Sequence, residues 1–312
     1  MSMHLVNEHS FPQSRFQIQI GNVCCAIICR DCPLNSELQL LFDNFQSHEP
    51  ADITIELEVV DGISPAQLTE SLSRTRISRT GNHFTADDLV LESDFDASAR
   101  IIYLRVERAF FAPDAEFKLI NRLLTKAYYT VCQWKFGGLP PALLVHSSVL
   151  VWQGSGLLFT APSGTGKTTV ARLLGSDQNI ILNDEMTLVS RRQPVNGAIT
   201  VRGIPILGDL SQRHNMEVPL RCVFLLKQSM QTATRRLSQM EAYLRFIRQV
   251  ISPIYLGPTN KQELFSLIAE FSDEVTGMIP FYELEFTLDK HQLWQAVSEV
   301  EKSLDKEEIK IG

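Results

Sequence analysis

The stretch Gly156-Leu-Leu-Phe-Thr-Ala161 is a short apolar run with the character of a buried strand. Thr168-Thr-Val-Ala-Arg-Leu-Leu174 has helical spacing and is stopped by Gly175. Between them the chain reads Ala161-Pro-Ser-Gly-Thr-Gly-Lys-Thr-Thr169, so a strand must pass into a helix through a turn rich in glycine. Glycines at 164 and 166 allow the backbone to curl with its N–H groups facing inward, at the positive end of the helix dipole. That arrangement is a receptor for a polyphosphate, and the pattern strand–[AG]xxxxGK[ST]–helix is that of a phosphate-binding loop. Ser163, Gly164, Thr165, Gly166, Lys167, Thr168 and Thr169 are the expected nucleotide-binding residues. Lys167 would reach the terminal phosphates and the Thr168 hydroxyl would hold Mg²⁺. Ala161 stands at the first position in place of glycine, a small-for-small exchange. The competing reading, a glycine-rich turn that caps a helix by chance, does not account for the strand before it. The chain is therefore expected to bind a nucleotide, with ATP the default.

At 312 residues the chain has room for one large or two ordinary domains, and 44% apolar residues support a sizeable core. A net charge of −7 argues against nucleic acid, whose phosphates need a basic face. The first ten residues are polar with no apolar core, which predicts no signal peptide. No window of about 18 residues is free of polar breaks, so no membrane span and a cytoplasmic location are expected. Cysteines at 24, 25, 29 and 32 form a Cys-Cys-x3-Cys-x2-Cys cluster that invites a zinc or redox reading. No histidine or second CxxC accompanies it, and three of the four fall within an apolar strand pattern where cysteine packs as a small hydrophobe.

Residues 14–20 alternate apolar and polar, and 23–29 follow after Gly21-Asn22 turn residues, which predicts a hairpin. A helix is predicted over 36–45, and strands over 53–59 and 100–106, giving a small β-rich domain across residues 1–110. Residues 61–88 are weakly patterned. The second domain, 111–312, opens with an amphipathic helix at 117–136, whose buried side carries Leu119, Ile120, Leu123, Leu124 and Tyr128. Residues 142–152 read as a strand pair bent at His146-Ser-Ser148, and 179–183 as a short buried strand. A hairpin is expected from 187–190 and 198–201, a strand at 221–226, and a capped helix at 239–250. A helix at 261–271, a strand at 281–286 and a closing helix at 291–302 complete the pattern. The charged tail from 305 is expected to fray.

Asp184-Glu185 ends the strand that follows the loop helix. Adjacent carboxylates there can hold a metal shell and accept a proton from an attacking hydroxyl. Strand neighbours point to opposite sides, so both reach one site only where the strand has ended, as an Asn183-Asp184 turn allows. His146 lies on the strand beside the loop strand and by itself reads as a hydrogen-bonded edge histidine.

Val145-His-Ser-Ser-Val-Leu-Val151, the loop at 161–169 and Leu182-Asn-Asp-Glu185 together resemble the catalytic domain of the HPr kinase/phosphorylase family, and Thr200-Val-Arg-Gly203 resembles its Glu-Ile-Arg-Gly segment. The resemblance covers about residues 143–205. It implies a phosphoenolpyruvate-carboxykinase-like P-loop kinase domain of α/β class, beside the smaller β-rich N-terminal domain. It further implies Asp184 as catalytic base, His146 as its neighbour, Lys167 on the phosphates, and Glu185 with Thr168 at Mg²⁺. The sequence departs from the family at Glu185, where the family has Asp, at Thr200, where it has a Mg²⁺-supporting Glu, and at Pro205, where it has Gly.

The expected function is an ATP- and Mg²⁺-dependent kinase acting on a hydroxyl, foremost a serine of a protein or peptide. The alternatives are a non-catalytic ATP-binding regulator and a small-molecule kinase. The expected partner is the protein, peptide or small-molecule hydroxyl acceptor, with no nucleic acid and no membrane, and with room for homo-oligomerisation. Thr259-Asn-Lys-Gln-Glu263 lacks the spacing of a guanine-reading NKxD, and no Asp-x-x-Gly switch follows the loop.

Overall fold

The computed structural model describes residues 14–30, 42–60, 76–80, 83–88, 91–96, 100–107, 116–136, 140–176, 179–191, 197–210, 212–251 and 261–311. It is a mixed α/β chain with two compact units, Met1–Leu119 and Ile120–Gly312, and five α-helices among the described residues.

The first unit holds one seven-stranded sheet in the order β1-β2-β3-β7-β6-β5-β4. β1 (Ser14–Ile20) and β2 (Val23–Arg30) form the expected hairpin, with Gly21 at φ 60° in the turn. β3 (Ile53–Val60) pairs parallel with both β2 and β7 (Ile101–Glu107). β4 (Arg76–Thr80), β5 (His83–Asp88) and β6 (Leu91–Asp96) extend the sheet as an antiparallel meander. β4 and β5 fall in the weakly patterned stretch because each carries few apolar residues, as in Arg76-Ile-Ser-Arg-Thr80, and β6 lies beyond it. Of the helix expected over 36–45, residues 36–41 lie outside the described residues and 43–45 form a single 3₁₀ turn. Cys24 and Cys25 are buried thiols on β2, as a packing role requires. Cys32 and the side chain of Cys29 lie outside the described residues.

The second unit is built on two long strands, β8 (Ala142–Trp152) and β13 (Glu217–Gln228). Each changes partner part-way along. The first half of β8 pairs with β11 (Met186–Ser190), while the second half pairs with β9 (Ser155–Thr160) and β10 (Ile180–Asn183). The start of β13 pairs with β12 (Thr200–Arg202), and its remainder runs parallel to β9 and β15 (Phe281–Phe286). β14 (Ala233–Arg236) closes the edge beside β15.

The bend expected at 146–148 is thus absent: β8 is one continuous strand. Its polar residues are accommodated inside the sheet, because the Ser147 hydroxyl bonds both Val145 O (3.0 Å) and Thr187 Oγ1 (2.6 Å). A buried hydroxyl with partners does not need to break a strand.

Helices cover the sheet. α1 (Glu116–Lys135) buries Leu124 and Tyr128, and Leu119, Ile120 and Leu123 have no described side chains. α2 (Lys167–Leu174) and α5 (Lys290–Ile311) pack on the parallel strands through Val170, Leu174, Leu293 and Val297. α3 (Gln239–Phe246) opens with the expected capping box: Ser238 Oγ accepts from Glu241 N, and the Glu241 carboxylate accepts from Ser238 N at 3.0 Å. It then tightens into a 3₁₀ turn over Ile247–Gln249 rather than continuing as α-helix to 250. α4 (Lys261–Met278) runs longer than expected, and Thr259 and Asn260 lie outside the described residues. α5 starts where Asp289 Oδ1 caps His291 N (2.9 Å), and it persists to Ile311 instead of fraying. The tail is charged but rich in Glu and Lys, which are good helix formers. No described helix is long and apolar enough to cross a membrane.

The core beside the glycine loop packs Phe159, Phe224 and Tyr282 from β9, β13 and β15, with ring centroids 5.1 and 5.9 Å apart. Phe224 is fully buried in the middle of that row. Phe224→Ala is expected to cost about 3–5 kcal/mol, the usual penalty for a phenylalanine-sized cavity. Chemical denaturation of the two proteins measures it, and a loss under about 1 kcal/mol would mean the row is not the core.

Candidate functional site

β9, β13 and β15 are mutually parallel, so their C-terminal ends share one edge of the sheet. In such sheets that edge is where ligands bind. The loop 161–166 leaves β9 there and enters α2. Gly164 and Gly166 have φ of 79° and 108°, a region that side-chain-bearing residues rarely adopt. Gly166 is also crowded, since a Cβ there would meet the Phe286 ring at 3.0 Å.

Lys167 is the first residue of α2, and its Nζ folds back to donate to Ala161 O (3.1 Å) and Pro162 O (3.5 Å). Burial pushes its pKa down, against the attraction of Glu185. Ser148 Oγ holds the Lys167 carbonyl at 3.3 Å and so fixes the start of the helix to β8.

The acidic pair is placed by Asn183, the last residue of β10. Its Oδ1 accepts from Glu185 N (2.8 Å) and Met186 N (3.1 Å), a side-chain turn that ends the strand. Asp184 and Glu185 therefore lie in a bend between β10 and β11, both of which pair with β8. Ser147 N on β8 donates to Glu185 O at 3.1 Å, which brings the bend against His146.

Within the bend the two carboxylates meet different partners. Asp184 is 1% exposed. Its Oδ2 accepts from Leu210 N (3.2 Å), and Oδ1 is buried with no hydrogen-bond partner. Burial raises its pKa, and hydrogen bonds from Thr168 and Leu210 N only partly offset that. Glu185 reaches outward: its Oε1 lies 3.7 Å from His146 Nε2. The hydrogen bond from His146 depresses its pKa against the opposing effect of burial, and the charges of His146 and Lys167 add to the depression.

Sequence reasoning did not single out the segment 203–213 as part of the site. Asn183 Nδ2 donates to Ile204 O and Ile206 O, and Asn121 on α1 pairs with both the N–H and the C=O of Leu207 at 2.7 Å. These contacts press Gly208 against Asp184, so that a Cβ at 208 would sit 2.2 Å from Asp184 Oδ1. Arg213 is buried, and Asp184 is the neighbouring charge that favours its guanidinium against desolvation. A lone Arg in loop-like sequence and Asn121 within a helix carry no spacing signal. Gly203-Ile-Pro-Ile-Leu-Gly208, bounded by glycines, was the only visible hint.

Ser163 and Gly164 are exposed on the loop, and Thr165, Thr168 and Thr169 are partly exposed. Thr200, by contrast, is engaged within the sheet. Its hydroxyl donates to Glu217 Oε1 (2.5 Å) and lies 3.0 Å from the Ser190 hydroxyl, and Glu217 also pairs with Arg202 at 3.7 Å.

A magnesium–nucleotide complex fits these residues. Mg²⁺ is commonly held by one or two carboxylates with a hydroxyl and substrate phosphates, so no cluster of three acids is required. Asp184 Oδ1 is a buried acceptor without a partner, and the Thr168 hydroxyl bonds the same carboxylate, so the two side chains together offer oxygen donors suited to a cation. No group of three His, Cys, Asp or Glu suited to a metal occurs among the described residues.

Fold and site together define a mixed α/β protein with a glycine loop, a lysine and an acidic pair converging at one sheet edge. Residues 113–302 match the family model described as SynChlorMet cassette protein ScmC, and the chain belongs to that family. Among solved structures, the Hpr(Ser) kinase/phosphatase from Coxiella burnetii is similar at 13% identity and a TM-score of 0.30, over 53% of this chain and 98% of that one. No curated relative matches.

The Gly208–Asp184 contact gives a direct test of the site's packing. Gly208→Ala is expected to destabilise the protein by about 1–3 kcal/mol through overpacking. In an Asp184→Ala background the same substitution should cost close to nothing, because the clashing carboxylate is gone. Additive effects in the double-mutant cycle would refute the contact.

Proposed function

We propose that the chain is an ATP- and Mg²⁺-dependent kinase that transfers the terminal phosphoryl group to a hydroxyl, with serine in a protein or peptide as the foremost acceptor. One observation carries the reading: Lys167, Thr168, Asp184 and the Glu185–His146 pair converge at the mouth of the loop that opens α2.

In this proposal the amides of 164–169 take the phosphate chain, and Lys167 leaves Ala161 O and Pro162 O for the terminal phosphates. Thr168 and Asp184 would hold Mg²⁺, which when bound neutralises charge on the phosphate oxygens. Asp184 is closed off by Gly208 and Leu210, whereas Glu185 is open to an incoming hydroxyl and oriented by His146. That contrast supports Glu185 as the group that accepts the hydroxyl proton and Asp184 as the metal-side carboxylate. The division is the reverse of the one that the family resemblance implies, and mutants separate the two.

Mg²⁺–ATP is expected to raise the melting temperature by several degrees, and Lys167→Ala should remove most of that shift. An unshifted melt at saturating nucleotide would overturn the nucleotide site. Phosphoryl transfer, followed by mass spectrometry in lysate supplied with ATP, is expected to fall by about 10² in Glu185→Gln with nucleotide affinity unchanged. Asp184→Asn should instead shift the Mg²⁺ requirement upward and recover at excess metal. If Asp184→Asn abolishes transfer at every Mg²⁺ concentration while Glu185→Gln retains it, the roles belong the other way round.

A further inference from the structure

Beside the start of the loop lies a cleft of about 230 Å³. Its floor is apolar, formed by Ala161, Pro162, Leu225 and Leu226 at the ends of β9 and β13. Its rim is basic, formed by Arg245 and Arg248 from the end of α3 and the turn that follows it. The carbonyls of Ala161 and Pro162 are also the groups that hold the Lys167 ammonium. A phosphate-loop lysine marks the position of the terminal phosphates. Whatever occupies the cleft therefore sits at the end of the nucleotide from which a phosphoryl group would leave.

The two arginines are not equivalent. Arg245 Nη1 is bound to Glu283 at 2.7 Å, which largely satisfies its charge. Arg248 is exposed, and no ion pair engages it among the described residues. In a chain of net charge −7, an exposed arginine at the rim of the cleft is available to an anion.

The same helix supplies the second half of the argument. Met240 and Leu244 are 66% and 55% exposed, and they precede Arg248 at steps of four. Met240 and Leu244, one turn apart, share a face of α3, so a short apolar stripe of about 6 Å leads toward the 3₁₀ turn that carries Arg248. A small acid would leave that stripe uncovered. An extended peptide would cover it with apolar side chains and place a carboxylate at Arg248.

We propose that the cleft and the exposed face of α3 form the acceptor subsite, and that the acceptor is a peptide segment in which apolar residues and an acidic side chain flank the hydroxyl. This rests on the kinase reading above. In the reaction the acceptor oxygen bonds to the terminal phosphorus of ATP as the bridging P–O bond to ADP breaks, and the hydroxyl proton passes to the site carboxylate. Arg248 acts only in positioning.

The test compares amidated synthetic peptides, each with one central serine flanked by leucines and by either glutamates or glutamines. The full chain with Mg²⁺–ATP should phosphorylate the glutamate peptide with a kcat/KM roughly five- to tenfold higher than the glutamine peptide, the size expected of a charge-assisted pair at an exposed rim. Arg248→Glu should abolish or invert that preference through KM, with kcat and the Mg²⁺–ATP thermal shift unchanged. Leu244→Asp should weaken both peptides alike. Equal use of the two peptides, or a preference that survives Arg248→Glu, would overturn the subsite. A thermal shift with no transfer to either peptide would overturn it too, while loss of the thermal shift itself would strike the nucleotide reading instead.

Discussion

The side chain of Asn183 uses its full hydrogen-bonding capacity, and the geometry of the site follows from that. Its amide donates to Ile204 O at 3.1 Å and Ile206 O at 2.7 Å, and its oxygen accepts from Glu185 N and Met186 N. An amide offers two donors and two lone pairs, and here all four are engaged in a fully buried position. The acceptor side ends β10 and folds the acidic pair into a bend. The donor side pulls the segment 203–208 over that bend. No apolar residue could do either, and aspartate would lack the donors. A buried group satisfied in this way rigidifies its surroundings, because every alternative position leaves a polar atom unpaired.

That rigidity is set against an electrostatic imbalance. Lys167 is buried yet bonded to neutral carbonyls, and Asp184 is buried with one oxygen lacking a partner. Burial lowers the pKa of the first and raises that of the second, so each is held where its charged form is disfavoured. The simplest resolution would be a direct contact between the two. The fold prevents it by holding Asp184 beneath Gly208 and Leu210 while Lys167 turns toward Ala161. A phosphate chain with a divalent cation would relieve both at once, since it brings negative charge to the lysine and positive charge to the aspartate. The protein thus carries a pre-arranged cost that its proposed ligand removes.

The legible part of this in the sequence was the part with a short-range signature. The loop at 161–169, the alternating strands of β1, β3 and β15, the capping box at Ser238 and the cap at Asp289 each depend on residues within a few positions of one another. Proximity of His146 to Asp184-Glu185 was suggested by resemblance, and its cause is long-range: β10 and β11 both pair with β8 on either side of Ser147. Asn121, Gly208 and Arg213 were invisible because their partners are far along the chain, as with Asn121 and Leu207. The single strand β8 was misread for a related reason. Ser147 and Ser148 look like breakers locally, but Thr187 and the Lys167 carbonyl supply their partners from elsewhere. The short strands β4 and β5 carry too few apolar residues to show a clear alternation.

The location of the site also follows from how the long strands are shared. β8 leaves β11 and takes up β9 at the step from His146 to Ser147, and such a change of partner leaves backbone groups that neither ladder fully serves. Buried hydroxyls fill the junction: Thr160 Oγ1 donates to His146 O at 2.6 Å, Ser147 joins Thr187, and Ser148 holds the first turn of α2. Each of these hydroxyls ties one element to another, namely the loop strand to the histidine strand, the histidine strand to β11 just past the acidic bend, and the histidine strand to the lysine helix. Apolar replacements of similar size would still pack, but they would leave those carbonyls bare and the elements free to shift. Chemistry that depends on reacting groups held within fractions of an ångström cannot tolerate that freedom. The polar seam through an otherwise apolar sheet is therefore where a site could be built, since its hydrogen bonds already fix the relative positions of three separate segments.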